Sequence, residues 1–176
     1  MLRYTFPEEA QFEDKQHCYQ TYNKLITRLL RNGTTTAVYY ASNHLSSAQA
    51  LADTAWRLKQ RAYIGKVCSD QNVPDYYVEK TDQSISDTEE FLKWVQGHYG
   101  QLCTSKGRSA REAMIQAVIT PRFIPTCSWE LLCELGKLAK KYDAFVQTHA
   151  AESVDEVIFG MWTAPTLVDS MALIMS

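Results

Sequence analysis

Thr34 to Cys68 reads TTTAVYYASNHLSSAQALADTAWRLKQRAYIGKVC, and its rhythm sets the fold class. Thr34–Ala41 (TTTAVYYA) is rich in β-branched and aromatic residues, which suit a pleated strand. Ala62–Cys68 (AYIGKVC) has the same character and predicts a second strand. Between them Leu51, Ala52, Ala55 and Leu58 recur on one face of a helix, with Ser47 expected as its cap.

The alternation continues in both directions. Upstream, Tyr22, Leu25, Ile26, Leu29 and Leu30 mark one face of a helix over Asp14–Arg31, and Asn32-Gly33 ends it by accepting a left-handed backbone. Downstream, Ser86 and Glu89 have capping-box spacing ahead of Phe91, Leu92, Val95 and Tyr99. Gly100 to about Arg111 is polar and predicts a long surface loop. Ile115–Thr120 reads as a strand, Ser128 as the cap of a helix carrying Leu131, Leu132, Leu135 and Leu138, and Ala144–Thr148 as a further strand. Short, continuous apolar strands separated by helices predict an α/β fold of parallel strands buried on both faces. Four such strands fit an open sheet or part of a (β/α)8 barrel, and periodicity leaves both open. The chain holds no internal repeat and no low-complexity segment.

Bulk properties exclude several classes. The 176 residues suffice for one domain, and 45% apolar with 22% charged residues is ordinary for a globular protein. A net charge of -2 offers no basic surface for nucleic acid or an anionic membrane. Nothing at the N-terminus reads as a signal peptide. The apolar window from Ile158 is interrupted by Pro165 and Asp169, short of the roughly 20 apolar residues a span needs. Cys18, Cys68, Cys103, Cys127 and Cys133 are odd in number and form no C-x-x-C pair. They fit free thiols in a reducing, cytoplasmic setting, not a disulfide framework or a zinc finger.

Parallel α/β folds carry their chemistry at the carboxyl ends of strands. Those ends hold Tyr40, Ser42 and His44; Lys66, Cys68 and Asp70; Arg122 and Phe123; His149 and Glu152. In Gln147-Thr148-His149-Ala150-Ala151-Glu152, a strand-end imidazole suits a metal, and a carboxylate three residues on suits proton transfer to or from a metal-bound water. The same pattern also arises from a hydrogen-bonded strand-end histidine beside a solvated glutamate. In Thr120-Pro121-Arg122-Phe123, a guanidinium with an adjacent ring suits a planar ligand bearing a carbonyl; a surface salt bridge beside a core phenylalanine is the plainer alternative. His44 and Lys66 read as structural, and His17 and His98 as ordinary helix residues.

Taken as an ordered set, several segments resemble the guanine deaminases of the metal-dependent amidohydrolase superfamily. They are Tyr4-Thr5-Phe6-Pro7-Glu8, Asn32–Ala37, Arg61–Cys68, Thr120–Phe123, Glu134–Lys140, Gln147-Thr148-His149 with Glu152, and Asp155-Glu156-Val157. The resemblance implies a partial (β/α)8 TIM barrel of about strands two to five over residues 1–157, followed by a non-matching tail, 158–176. It implies one zinc ion and a zinc-bound hydroxide that converts guanine to xanthine and ammonia, a step of purine catabolism. In that scheme His149 matches a zinc ligand, Glu152 the catalytic proton shuttle, Arg122 the contact to the guanine carbonyl, and Phe123 the pocket wall. Ala150-Ala151 departs from the family's usual Ile-Ser, at positions that bear no ligand. The resemblance also implies a homodimer.

The family's H-x-H zinc pair and its sixth- and eighth-strand His and Asp have no counterpart here. The tail reads as a shifted frame, an alternative exon or a mispredicted gene model. One histidine does not hold a catalytic zinc, which takes at least three protein ligands. The expectation is therefore an inactive, poorly soluble or partly disordered chain with two unpaired sheet edges, well short of the roughly 250 residues of a whole barrel. Alternatives are an amidohydrolase acting on a triazine or adenine-like ring, a non-catalytic isoform pairing with full-length subunits, and an unrelated doubly wound binding domain. Arg122-Phe123 favours guanine over a ring without a carbonyl. No glycine-rich nucleotide loop follows any strand.

Overall fold

A computed structural model of the chain describes residues 3–107 and 109–158. Its elements are α1 (Thr5–Ala10), α2 (Lys15–Arg31), β1 (Thr36–Tyr40), α3 (Leu45–Leu58), β2 (Arg61–Gly65), β3 (Val67–Cys68), α4 (Thr81–Val95), α5 (Gln101–Thr104), β4 (Ile115–Pro121), α6 (Trp129–Tyr142) and β5 (Phe145–Val146). The expected tail 158–176 lies, beyond Ile158, outside the described residues.

Every strand pairing is parallel: β1 with β2, β2 and β3 with β4, and β4 with β5. Ile64 pairs with Ala117 and Val67 with Thr120, three residues on in both strands, so β3 continues β2 in the same register. The sheet thus runs β1, β2/β3, β4, β5 in chain order. A doubly wound sheet would reverse direction at a switch point. Stepwise advance with a helix after each strand is instead the progression of a (β/α)8 barrel.

Alternation along each strand separates the two faces. Tyr39, Ala62, Ile64, Ile115, Ala117 and Ile119 join the core formed with Ile26, Leu51, Ala55, Phe91, Leu92, Leu131 and Leu135 from α2, α3, α4 and α6. The opposite face carries Val38, 60% exposed, Phe145, 44% exposed, and Tyr63, whose ring meets Phe145 edge-on at 5.8 Å. Among the described residues that face is therefore open at β1 and β5, whereas β4, with Val118 and Thr120 buried beside Ile119, is covered on both faces as its apolar run predicts.

Three local expectations change. α3 begins at Leu45 directly behind β1, so Ser47 lies inside it, and its hydroxyl pairs with Tyr22 Oη at 2.6 Å, tying α3 to α2. α4 begins at Thr81, placing Ser86 mid-helix. The segment expected as a loop from Gly100 instead continues the helix through a wide turn at Gln96–Gly100 into α5, and buried Tyr99 donates to Asp53 Oδ1 at 2.7 Å. Ser128 does cap α6, accepting from Leu131 N at 3.1 Å. Among the described residues no helix is long and apolar enough to cross a membrane.

Candidate functional site

The site is built at the carboxyl ends of β4 and β5. Arg122 N donates to Cys68 O at 3.0 Å, extending the β3–β4 pairing by one residue. On the next strand Gln147 N donates to Ile119 O at 2.9 Å. The Gln147 side chain then reaches across the sheet, its Nε2 donating to Thr120 Oγ1 at 2.9 Å and to Tyr39 O at 3.0 Å. Gly65 makes this crossing possible. A Cβ there would sit 1.6 Å from Thr120 Oγ1 and 2.8 Å from Gln147 Nε2. One amide thus stitches β5 and β4 to β1 over a gap that only glycine leaves.

Two residues on, His149 is fixed at both ends of its peptide and ring. Its backbone N donates to Arg122 O at 3.2 Å, and its Nδ1 lies 2.8 Å from the same oxygen. A carbonyl oxygen only accepts, so Nδ1 carries the proton, and in the neutral ring the free lone pair sits on Nε2. That is the arrangement in which a histidine serves a metal, its other N–H held by a backbone carbonyl. Tyr40 packs against the ring with centroids 4.3 Å apart.

Arg122 is 6% exposed. Its terminal nitrogens grip Glu9 of α1 bidentately, Nη1 to Oε2 at 2.7 Å and Nη2 to Oε1 at 3.0 Å. The Phe6 ring lies under the guanidinium, 4.8 Å from Cζ to centroid. Tyr77 Oη donates to Glu9 Oε2 at 2.7 Å, and Asn43 holds Tyr77 through its Nδ2, which donates to Tyr77 O at 2.7 Å. Burial opposes the Arg122 charge, but the bonds to Glu9 outweigh it and raise the Arg122 pKa, with the Glu152 carboxylate adding to the same effect. Burial, then the charge of Glu9, push the Tyr77 phenol up, so Tyr77 remains a donor.

The four residues singled out from the sequence therefore follow the ends of two neighbouring strands, Arg122 and Phe123 after β4 and His149 and Glu152 after β5, in unequal settings. Arg122 and His149 share a backbone oxygen. Phe123 is half-buried and extended, starting a short turn at Ile124–Thr126, and the ring beneath Arg122 is Phe6 instead. Glu152 is exposed, its N–H donating to Glu156 Oε2 at 2.6 Å, and Ala151 before it takes a left-handed φ of 55°. Phe6, Glu9 and Tyr77 were not singled out. The one signal for Glu9 was chemical: a buried arginine requires a carboxylate, but any of several acidic residues would have met that need.

His44 and Lys66 are structural here. Lys66 is fully buried in an ion pair with Glu79, which also accepts from Ser69 N at 2.9 Å and Ser84 Oγ at 3.2 Å. His44 meets Tyr77 edge-on at 6.2 Å, and burial lowers its pKa. Asp70, at the end of β3, accepts from Ser128 N at 2.6 Å and Thr81 Oγ1 at 2.8 Å, joining the starts of α6 and α4.

Among the described residues no three His, Cys, Asp or Glu side chains converge where a metal ion would bind. His149 offers one nitrogen of the right kind and orientation; the described residues do not complete the set.

The barrel-type parallel sheet thus carries a buried arginine at the end of β4 and an oriented histidine at the end of β5. Residues 2–161 match the profile of the amidohydrolase family, and the chain belongs to that family. Within it, the chain is similar to guanine deaminases. It is 41% identical over 155 residues to the enzyme of Dictyostelium discoideum, covering 88% of this chain and 32% of that protein. It is 38% identical over 160 residues to the human enzyme, covering 89% and 32%. The crystal structure of guanine deaminase from C. acetobutylicum with bound guanine superposes with a TM-score of 0.81 at 36% identity, covering 93% of this chain and 36% of that one. The chain thus spans about a third of the length of the curated relatives it matches, and its sheet is part of an amidohydrolase TIM barrel.

Proposed function

We propose that this chain carries the fourth- and fifth-strand portion of a guanine deaminase site, serving hydrolysis of guanine to xanthine and ammonia. The observation that supports this most is the shared oxygen of Arg122. It fixes the His149 tautomer with Nε2 free for a metal, on the residue whose guanidinium would meet the ring carbonyl. A zinc ion, when bound, would supply an acidified water near the ring carbon that bears the amine. His149 would be one of its ligands. The remaining ligands are not among the described residues.

The chain's own residues have separable tasks in this reading. Arg122 orients the ring by donating to its carbonyl, and a ring lacking that oxygen would leave a buried donor unpaired. Phe123 forms the adjacent wall. Glu152, exposed beyond the end of β5, would carry a proton between water and the ring nitrogen.

The 176-residue chain by itself is expected to be inactive, since a catalytic zinc takes at least three protein ligands. Incubating it with zinc and guanine and following xanthine by absorbance tests this: no turnover is expected, and turnover would show that a site assembles from these residues. The substrate reading is tested separately by base binding, where hypoxanthine should bind more tightly than purine, which lacks the carbonyl. Equal binding would remove the support for Arg122 as the carbonyl contact.

A further inference from the structure

An arginine that only had to meet a ring carbonyl would not need a carboxylate across both of its terminal nitrogens. Glu9 comes from α1, 113 residues away in sequence, and fills the fork that a guanidinium ordinarily offers to a carboxylate. Tyr77 pins the same carboxylate from the other side, and Phe6 closes the guanidinium face. Glu152 adds a further negative charge within electrostatic reach of Arg122. The local sum is one cation against two carboxylates, in a place where Arg122 is almost wholly removed from water.

We propose that Glu9 is a specificity-determining residue: by occupying the bidentate face of Arg122 and cancelling its charge, it makes the site accept a neutral ring carbonyl and reject a ring carboxylate. This rests on the reading of Arg122 as the carbonyl contact. Arginine carries five N–H donors, and Glu9 engages two of its nitrogens once each. The other three N–H remain, the Nε–H among them without a partner among the described residues, and a neutral acceptor such as a lactam oxygen takes one of them without adding charge. A carboxylate there would add a third negative charge beside one buried cation that Glu9 already neutralises.

Three probes of one ring shape separate the possibilities: hypoxanthine (neutral, with the carbonyl), purine (no carbonyl) and purine-6-carboxylate (an anion). Each is titrated into the 176-residue chain, binding being read from amide shifts in NMR spectra. The unaltered chain should prefer hypoxanthine over both others. Glu9→Gln keeps the size and an acceptor oxygen but removes the charge; it should raise the affinity for purine-6-carboxylate relative to hypoxanthine by about tenfold, the change expected when one charge-assisted contact becomes available. Glu9→Asp keeps the charge and should keep the rejection of the anion, so it reads the proposal even if Glu9→Gln folds poorly. Equal weakening of all three probes in Glu9→Gln, or anion binding gained in Glu9→Asp, would make Glu9 a structural partner only and overturn the proposal. The paired variant Glu9→Gln with Arg122→Met reports on the underlying reading: loss of the hypoxanthine-over-purine preference supports it. Retained preference overturns the reading of Arg122 and the proposal with it, as does an unaltered chain without that preference.

Discussion

Replacing Gly65 by alanine should be among the most damaging single-methyl additions in the chain. The added Cβ would lie 1.6 Å from Thr120 Oγ1, 2.6 Å from Thr120 Cβ and 2.8 Å from Gln147 Nε2. Rotating the Thr120 side chain relieves the first contact but not the second, because Cβ does not move with χ1. β2 and β4 must therefore separate, or Thr120 must shift with its backbone. Overpacking of this kind costs about 1–3 kcal/mol. The Gln147 amide is displaced as well, and its two bonds contribute about 1 kcal/mol each. The expected loss is about 3–5 kcal/mol, a large part of the 5–15 kcal/mol typical of a domain. With an m-value near 2 kcal/mol/M, the urea midpoint should fall by about 1.5–2.5 M while m stays constant. Gly33→Ala is the internal contrast, since a Cβ there meets nothing within 4 Å and only its φ of 85° opposes the change; about 1–2 kcal/mol is expected. A Gly65→Ala loss under about 1 kcal/mol would refute the tight approach, and with it the view that Gln147 can cross the sheet only over a missing side chain.

Other consequences can be checked on the same chain. Lys66→Met leaves the Glu79 carboxylate buried without its cation and should cost about 3–5 kcal/mol in urea unfolding, with Lys66→Met/Glu79→Gln recovering much of it. Hydrogen bonds from Lys141, Tyr142 and Lys93 hold the Glu89 carboxyl down from 4.5 to about 2. A depressed carboxylate contributes stability that is present above its unfolded pKa and lost as pH falls through the folded value. Glu89→Gln should therefore flatten the stability curve between pH 4.5 and about 2, and an unchanged slope there would show that the α4–α6 contact is not maintained in solution. Burial raises the thiol pKa of Cys18 and Cys68 and pushes Cys127 up to about 12. Iodoacetamide at neutral pH should modify half-buried Cys103 and Cys133 first, and mass spectrometry finding Cys127 labelled in the folded chain would contradict the packing.

Much of the fold was legible because apolar strands and one-faced helices leave different periods, and β1, β4, α2 and α6 fall close to where those periods put them. Helix starts were less so. Ser47 and Ser86 have the chemistry of caps, but where a helix begins is set by how soon the chain can turn after a strand or loop, and tertiary partners then claimed the hydroxyl of Ser47. The apolar strands suggested burial on both faces, yet Val38 and Phe145 are exposed; a residue's character records what it is suited to touch, not what this chain supplies. At the site, Arg122 and His149 stood out because each sits at a strand end. Glu9 and Tyr77 did not, since contacts formed across 113 and 68 residues leave no local spacing to detect. The role of Gly65 was hidden for a similar reason, because what it makes room for comes from β1, β4 and β5 at once.

The most direct test of the account is the tautomer of His149, read from a long-range 1H–15N correlation spectrum of the chain with the ring neutral, with His149→Gln assigning the signal. The account predicts the proton on Nδ1, bonded to Arg122 O, and an unprotonated Nε2 able to take a metal. A proton on Nε2 would mean that the shared carbonyl does not orient the ring, and would contradict the assignment of His149 as a metal ligand.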